Sequence, residues 1–322
     1  MVLRPIPGAT SDDGSPVETG RMSIGDHLHE LRSCTVRAAR QDGEAKPVNR
    51  TDEKEYLLGT RDDETRRLGF QHRVWAECTF ALWERAGFGP GQTIVDLGCG
   101  PGFASFDLAN LVGAGGRVIA LDESKRFITF LKSEQESTGL GNIEPRVGDV
   151  QSLDLPAESI DGAYARWVLC FVPKPESVVA GVANALKPNG TFAVMDYFNY
   201  PAFTFAPRSA ALDRVVRAVI ESWRSHGGDL DIMLRVPELM AAHGLEVTDV
   251  RPIVRIARPG SALWEWPATF FRNFLPVLQQ GGFLTSKECE AFEEDWRDRS
   301  ANPESILITP PMLDVIGIKK PT

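Results

Sequence analysis

The sequence predicts an α/β fold: a parallel sheet covered by helices on both faces and carrying helical insertions. Three observations lead there. Short apolar runs alternate with helical stretches between residues 93 and 197, and repeated strand–helix units require a parallel sheet buried on both sides. A glycine turn, Gly98-Cys99-Gly100-Pro101-Gly102, follows the first apolar run. Acids stand at the tips of successive runs, as Asp96, Asp122 and Asp149.

The elements follow in order. Residues 1–51 are rich in Gly, Pro, Ser and charge and read as a largely disordered leader, with a weak helical pattern over 23–40. Residues 52–90 form a helical cap. Leu68, His72, Trp75, Cys78, Thr79 and Leu82 recur at helical spacing, and Gly87 stops the helix. Residues 91–200 form the ligand-binding core: strand Thr93–Leu97, helix Phe103–Val112, strand 117–121, and helix 124–138 with Ser124 as N-cap. Strands Ile143–Val147 and 159–166, helix 175–186 and strand 190–197 complete it. Residues 201–322 carry the rest of the sheet with helical lid insertions. Residues 199–207 read as an aromatic loop, 208–226 and 236–243 as helices, 245–256 as a long strand, 263–279 and 286–298 as helices, and 311–318 as a closing strand. A helical pair thus interrupts the last strand pair.

Composition narrows the function. The 322 residues are 43% hydrophobic and 25% charged, with a net charge of -9, which is ordinary for a globular chain. The acidic balance speaks against a duplex nucleic-acid partner, since phosphate binding leans on clustered Lys and Arg. No apolar run reaches membrane-spanning length, and the start of the chain lacks a signal-peptide core. The cysteines, Cys34, Cys78, Cys99, Cys170 and Cys289, are widely spaced with no Cys-x-x-Cys pair. A reducing cytoplasm fits them best, with neither disulfide framework nor metal site expected. Of the histidines only His27 and His29 are close together.

The glycine turn is the sharpest signal. Its spacing, Gly98-x-Gly100-x-Gly102, is not the Gly-x-Gly-x-x-Gly of dinucleotide enzymes, and no Gly-Lys-Ser/Thr marks a triphosphate loop. Asp96, two residues before Gly98, would repel a pyrophosphate and hold an ammonium group. Asp122 ends the next strand, where a carboxylate accepts from ribose hydroxyls, with Glu123 beside it. Asp149 is placed to accept from an adenine amine. Bland alternatives stand beside these: a capping acid for Asp122, a turn aspartate for Asp149. Together the residues describe a pocket for a cationic adenosine compound.

On these residues the chain resembles the class I S-adenosylmethionine-dependent methyltransferases, including small-molecule and quinone-biosynthesis members. Val95-Asp96-Leu97-Gly98-Cys99-Gly100-Pro101-Gly102 is similar to the family's first motif, Ala120-Leu121-Asp122 to its ribose-binding acid, and Gly148-Asp149-Val150 to its adenine-binding acid. Ser159-Ile160-Asp161-Gly162-Ala163-Tyr164 resembles the following strand, and Leu186-Lys187-Pro188-Asn189-Gly190 the turn before the fifth. Tyr56-Leu57-Leu58-Gly59, with Glu64, Arg67 and Gln71, resembles the lead-in of small-molecule members. The resemblance implies a Rossmann-like, seven-stranded methyltransferase sheet whose final strand, about 312–318, runs antiparallel beside 247–256. It implies S-adenosyl-L-methionine as cofactor and methyl transfer to an oxygen, nitrogen or carbon of a small apolar or aromatic acceptor. Nothing resembles the Asn/Asp-Pro-Pro-Tyr/Phe motif of DNA-base and protein-glutamine amino methylases.

The expected cofactor-binding set is Asp96, Gly98, Cys99, Gly100, Gly102, Asp122, Glu123, Asp149, Val150, Arg166, Trp167 and Tyr56. Cys99 serves through its backbone, and Trp167 offers an aromatic face to a cation. Candidate proton acceptors are Asp196, Tyr197 and His226. The run Trp264, Trp266, Phe270, Phe271 and Phe274 reads as a helix core face or as the roof of an acceptor pocket. The helices ahead of the first strand, the 208–226 helix and the 263–298 pair would form the lid. Two other functions share these features: an NAD(P)-dependent oxidoreductase on a related sheet, and a non-catalytic binder of the same cofactor.

Overall fold

A computed structural model describes residues 62–321; the leader, the 23–40 pattern and the Tyr56 segment lie outside the described residues. Helix α1 spans Asp62–Arg85. Then come β1 (Thr93–Leu97), α2 (Phe103–Val112), β2 (Arg117–Asp122), α3 (Lys125–Thr138), β3 (Ile143–Val147), β4 (Ile160–Arg166), α4 (Pro175–Ala185) and β5 (Leu186–Tyr197). The remainder is β6 (Thr204–Ala206), α5 (Ala210–Ser225), α6 (Val236–Ala242), β7 (Leu245–Ile253), β8 (Ile256–Ala257), α7 (Ala262–Gln280), α8 (Ser286–Ala301), β9 (Ile306–Ile308) and β10 (Met312–Lys319).

The main sheet has seven strands in the order β3-β2-β1-β4-β5-β10-β7. The pairs β2–β3, β1–β2, β1–β4 and β4–β5 are parallel, while β10 runs antiparallel between β5 and β7. The seven-stranded sheet with a reversed last strand is therefore present. Burial on both faces explains the unbroken apolar runs: Ile94, Val95, Val118, Ala120, Phe192 and Val194 are all fully enclosed. The strand order reverses between β1 and β4, and there the carboxyl ends open into a crevice.

Local signals set the helix ends. Ser124 accepts from the Phe127 amide at 3.3 Å, and Gly139, at φ +70°, ends α3. Ser209 and Ser261 cap α5 and α7. Thr285 and Glu288 cap α8 reciprocally.

The structure departs from expectation in the carboxyl-terminal third. The 199–207 segment is not all loop: β6 pairs with β9, which pairs with β8, in a second, three-stranded sheet. The long 245–256 strand ends at Ile253, and β8 joins the other sheet. Helix α4 ends at Ala185, and β5 already starts at Leu186. Strands of two or three residues whose partners lie far along the chain carry too little periodicity to be read locally.

An aromatic core fastens α7 and α8 to this small sheet. Trp264 lies 5.4 Å from Phe205 and 5.5 Å from Trp296, and its Nε1 donates to Ser300 Oγ at 3.0 Å. Phe271 packs on Phe292 at 4.8 Å. Removing a fully buried indole leaves a large cavity, so Trp264→Ala is expected to lose about 3–5 kcal/mol. Urea unfolding checks this: a midpoint close to wild type would show that the small sheet does not depend on Trp264.

Candidate active site

The glycine turn is shaped by its neighbours. Gly98 and Gly100 have φ of +59° and +55°, a left-handed conformation that glycine adopts without strain. The Gly100 amide donates to Asp122 Oδ2 at 2.8 Å, and the Ser124 amide donates to Asp122 Oδ1 at 2.8 Å. Cys99 N donates to Leu121 O, and Gly148 N to Asp122 O, each at 3.0 Å. Asp122 thus holds the β1 turn, the start of α3 and the end of β3 in one place. Burial, set against these amides, raises its carboxyl pKa.

The strand tips enclose a cavity of about 190 Å³. Asp96, Gly98, Cys99, Gly100, Asp122, Glu123, Asp149, Val150, Arg166 and Trp167 all border it. Gly102 does not. A Cβ there would run into Leu131 Cδ1, so its task is close packing of the turn on α3. Tyr56 lies outside the described residues. Cys99 is buried, its thiol pushed up by burial, which suits a backbone role. Asp149 accepts from the Gln151 amide at 2.9 Å while facing the cavity.

Asp96 is enclosed, and Ser105 donates to its Oδ2 at 2.6 Å. Burial pushes its carboxyl up to about 7, with Asp122 adding to the rise and Ser105 and Arg166 opposing it. The folded state therefore keeps a proton that the unfolded chain releases near 3.8. This contribution is fully present below that value and is lost as pH rises through about 7. Asp96→Asn, which cannot ionise, is expected to gain on wild type by on the order of a few kcal/mol across that window. Melting both proteins at several pH values tests it, and a difference that stays constant would count against it.

Arg166 and Trp167 form the far wall. Arg166 donates to Thr79 Oγ1 at 2.7 Å and to His72 Nδ1 at 3.0 Å, and His72 Nε2 meets Asp107 Oδ2 at 2.8 Å. Burial lowers the His72 pKa, so a neutral ring accepts from Arg166 and donates to Asp107. Trp167 sits at φ +52°, a costly backbone for a bulky residue. It is held by Trp167 N to Met195 O at 3.0 Å, by indole Nε1 against Met312 Sδ at 3.0 Å, and by stacking on Trp266 at 6.0 Å.

A second, smaller cavity of about 50 Å³ adjoins the first, and Gln71, Trp167 and Phe171 border both. Its other walls are mainly aromatic: Tyr197, Tyr200, Phe203, Trp223, Trp266 and Phe270. The aromatic run of α7 is thus divided. Trp264, Phe271 and Phe274 are core, while Trp266 and Phe270 are wall. Helices α1, α5 and α7 contribute to the chamber. No residue of α8 borders either cavity, which corrects the expectation that the whole helical pair forms the lid; α8 backs α7.

The candidate proton acceptors separate. Asp196 is fully enclosed and borders neither cavity. Its carboxylate accepts from the amides of Val168, Cys170 and Tyr197 at 3.1, 3.1 and 2.8 Å, with burial pushing its pKa up to about 6. It therefore shapes the turn after Trp167. His226 is exposed at the end of α5, its Nδ1 2.7 Å from Ser222 O, and also borders neither cavity. Tyr197 faces the chamber, but burial raises its phenol pKa, so it is a donor rather than a base. His72 and Phe171 border the larger cavity though nothing in the sequence marked them for it, and Gln71 was marked only through the resemblance of the Tyr56–Gly59 lead-in. His72 lay on a stripe read as packing, and Gln71 lies one position off that stripe.

This strand order, with a glycine turn and strand-tip acids opening into one crevice, defines a class I methyltransferase fold. Residues 89–228 match a family described as a methyltransferase domain. The chain is 34% identical over 101 residues to nocamycin O-methyltransferase of Saccharothrix syringae, covering 31% of this chain and 36% of the relative. It is 29% identical over 154 residues to 2-phytyl-1,4-naphtoquinone methyltransferase of Synechococcus elongatus, covering 47% of this chain and 61% of that one. The chain thus spans less than two thirds of either relative. Its fold is similar to that of geranyl diphosphate C-methyltransferase of Streptomyces coelicolor A3(2), with a TM-score of 0.50 at 16% identity and 77% of each chain covered. Residues 89–228 thus carry a methyltransferase domain, set in a fold of the class I S-adenosylmethionine-dependent methyltransferase type. Among the described residues no helix is long and apolar enough to cross a membrane, and no cluster of His, Cys, Asp and Glu is arranged to hold a metal ion.

Proposed function

We propose that this chain is an enzyme that transfers a methyl group from S-adenosyl-L-methionine to a small apolar or aromatic acceptor, at oxygen, nitrogen or carbon. The observation that carries this reading is the pairing of cavities. Strand-tip acids and a bare-backbone turn line the larger one, aromatic rings line the smaller, and the two share a wall at Gln71, Trp167 and Phe171.

The residues suit the cofactor's chemistry. Asp122 has lone pairs to spare for a ribose diol, and Asp149 with Val150 suits the adenine end. Arg166 is a cation beside four acids, Asp96, Asp122, Glu123 and Asp149, a charge pattern fit for a zwitterionic amino acid bearing a sulfonium. When bound, the sulfonium supplies an already electrophilic methyl carbon. The protein's part is then alignment and exclusion of water. Trp167, with the Arg166 guanidinium over its ring at 5.1 Å, walls the two cavities, and the stacked Trp266 closes the acceptor side. The net charge of -9 supports a partner other than nucleic acid. Free Cys78, Cys99, Cys170 and Cys289 support a cytoplasmic setting.

The test is to incubate enzyme, cell extract and methyl-deuterated donor, and to search by mass spectrometry for a product heavier by one labelled methyl. Such a product, absent without enzyme, is expected. Calorimetry showing no binding of S-adenosylhomocysteine would overturn the reading.

A further inference from the structure

Gln71 is the one polar side chain with an amide on the wall between the cavities, and its orientation is determined by what surrounds it. Its Oε1 accepts from Arg67 Nη1 at 3.0 Å and from Trp266 Nε1 at 2.8 Å. An amide oxygen accepts and its nitrogen donates, so two donors on one atom settle which end is which. Those donors are themselves held. Arg67 Nε and Nη2 donate to Glu64 at 2.8 and 2.7 Å, and Asn273 Nδ2 approaches the same carboxylate at 3.3 Å. Glu64 and Arg67 are both buried. The chain Asn273–Glu64–Arg67–Gln71–Trp266 therefore runs between α7 and α1 as a rigid strut and leaves Gln71 Nε2 with no protein partner among the described residues. The hydroxyls of Tyr197 and Tyr200, on the same chamber, likewise have no hydrogen-bond partner among them.

The chamber thus presents flat rings and unmatched donors. A planar ligand that brings lone pairs suits it, because filling the chamber cuts these donors off from water, and a donor buried without a partner costs more than the bond it would make. We propose that Gln71 is a specificity-determining residue and that the methyl acceptor is a planar, ring-bearing compound whose ring-conjugated oxygen, a phenol, enol or ketone, accepts from Gln71 Nε2. This rests on the methyltransferase reading above and names the substrate class of that site.

The test measures binding of 1-indanone and of 1-methyleneindane, alike in shape but differing in a carbonyl oxygen that can only accept, by equilibrium dialysis with S-adenosylhomocysteine saturating. Wild type is expected to prefer the ketone by about tenfold. Gln71→Leu removes the donor but also takes the shared acceptor from Arg67 Nη1 and Trp266 Nε1. Gln71→Glu keeps an oxygen for both and replaces only the donor, so it is the decisive variant: the preference should vanish while the melting temperature holds. A preference that survives in Gln71→Glu, or is absent from wild type, overturns the proposal. So does a tenfold loss of S-adenosylhomocysteine affinity in Gln71→Glu with 5′-methylthioadenosine affinity unchanged, which would assign Gln71 to the cofactor's carboxylate. Failure of wild type to bind S-adenosylhomocysteine at all would instead defeat the underlying methyltransferase reading.

Discussion

Gly98→Val is expected to abolish cofactor binding and to lower the melting temperature by several degrees. Two costs combine. The backbone at Gly98 has φ +59°, where a side chain costs about 1–2 kcal/mol and a β-branched one more. A Cβ there would also lie 2.7 Å from Val168 Cγ2. Val168 cannot step back freely, because it is buried and its amide is bonded to Asp196. Overpacking of this sort adds about 1–3 kcal/mol, and the new methyls would occupy the cavity that Gly98 borders. Isothermal titration with S-adenosylhomocysteine and a thermal melt read both effects. The double variant Gly98→Ala with Val168→Ala separates them, since relieving the clash leaves the backbone term. Wild-type affinity in Gly98→Val would show that the turn does not face the ligand.

Asp122→Ala is expected to weaken cofactor binding by more than about a hundredfold, taking each hydrogen bond to a charged group as about 1.5–3 kcal/mol. The carboxylate is placed both to meet a ribose and to hold the amides of Gly100 and Ser124, so its loss removes ligand contacts and loosens the turn together. Asp122→Asn keeps one acceptor and should fall between. Equal binding by wild type and both variants, measured by calorimetry, would remove Asp122 from the site.

The cavity at the strand tips was legible in the sequence because its information is local. Asp96, Asp122 and Asp149 each stand at or just after the end of an apolar strand, and the parallel pairing of those strands brings their ends together without further instruction. The adjoining aromatic chamber was legible only in part, through Tyr197 and through Trp266 and Phe270 as a pocket roof. Gln71 acquires its orientation from Trp266, 195 positions away, and nothing in the spacing of either helix announces that pairing. Asp196 shows the opposite failure. A carboxylate at a strand tip looks like a base, but here the chain folds back and satisfies it with three amides.

The sequence by itself determined the order of strands and helices from β1 to β5, the left-handed turn after β1 and the acids around it, since each follows from side-chain period, from glycine's freedom at positive φ and from the reach of a capping side chain. Only the tertiary structure decided which aromatic residues are core and which are wall. Trp264 and Trp266 are two positions apart on one helix, yet one is sealed between Phe205 and Trp296 and the other lines the chamber against Trp167. Their roles depend on what packs against each face of α7, and those partners come from α1, β6 and α8, segments whose meeting no local pattern encodes.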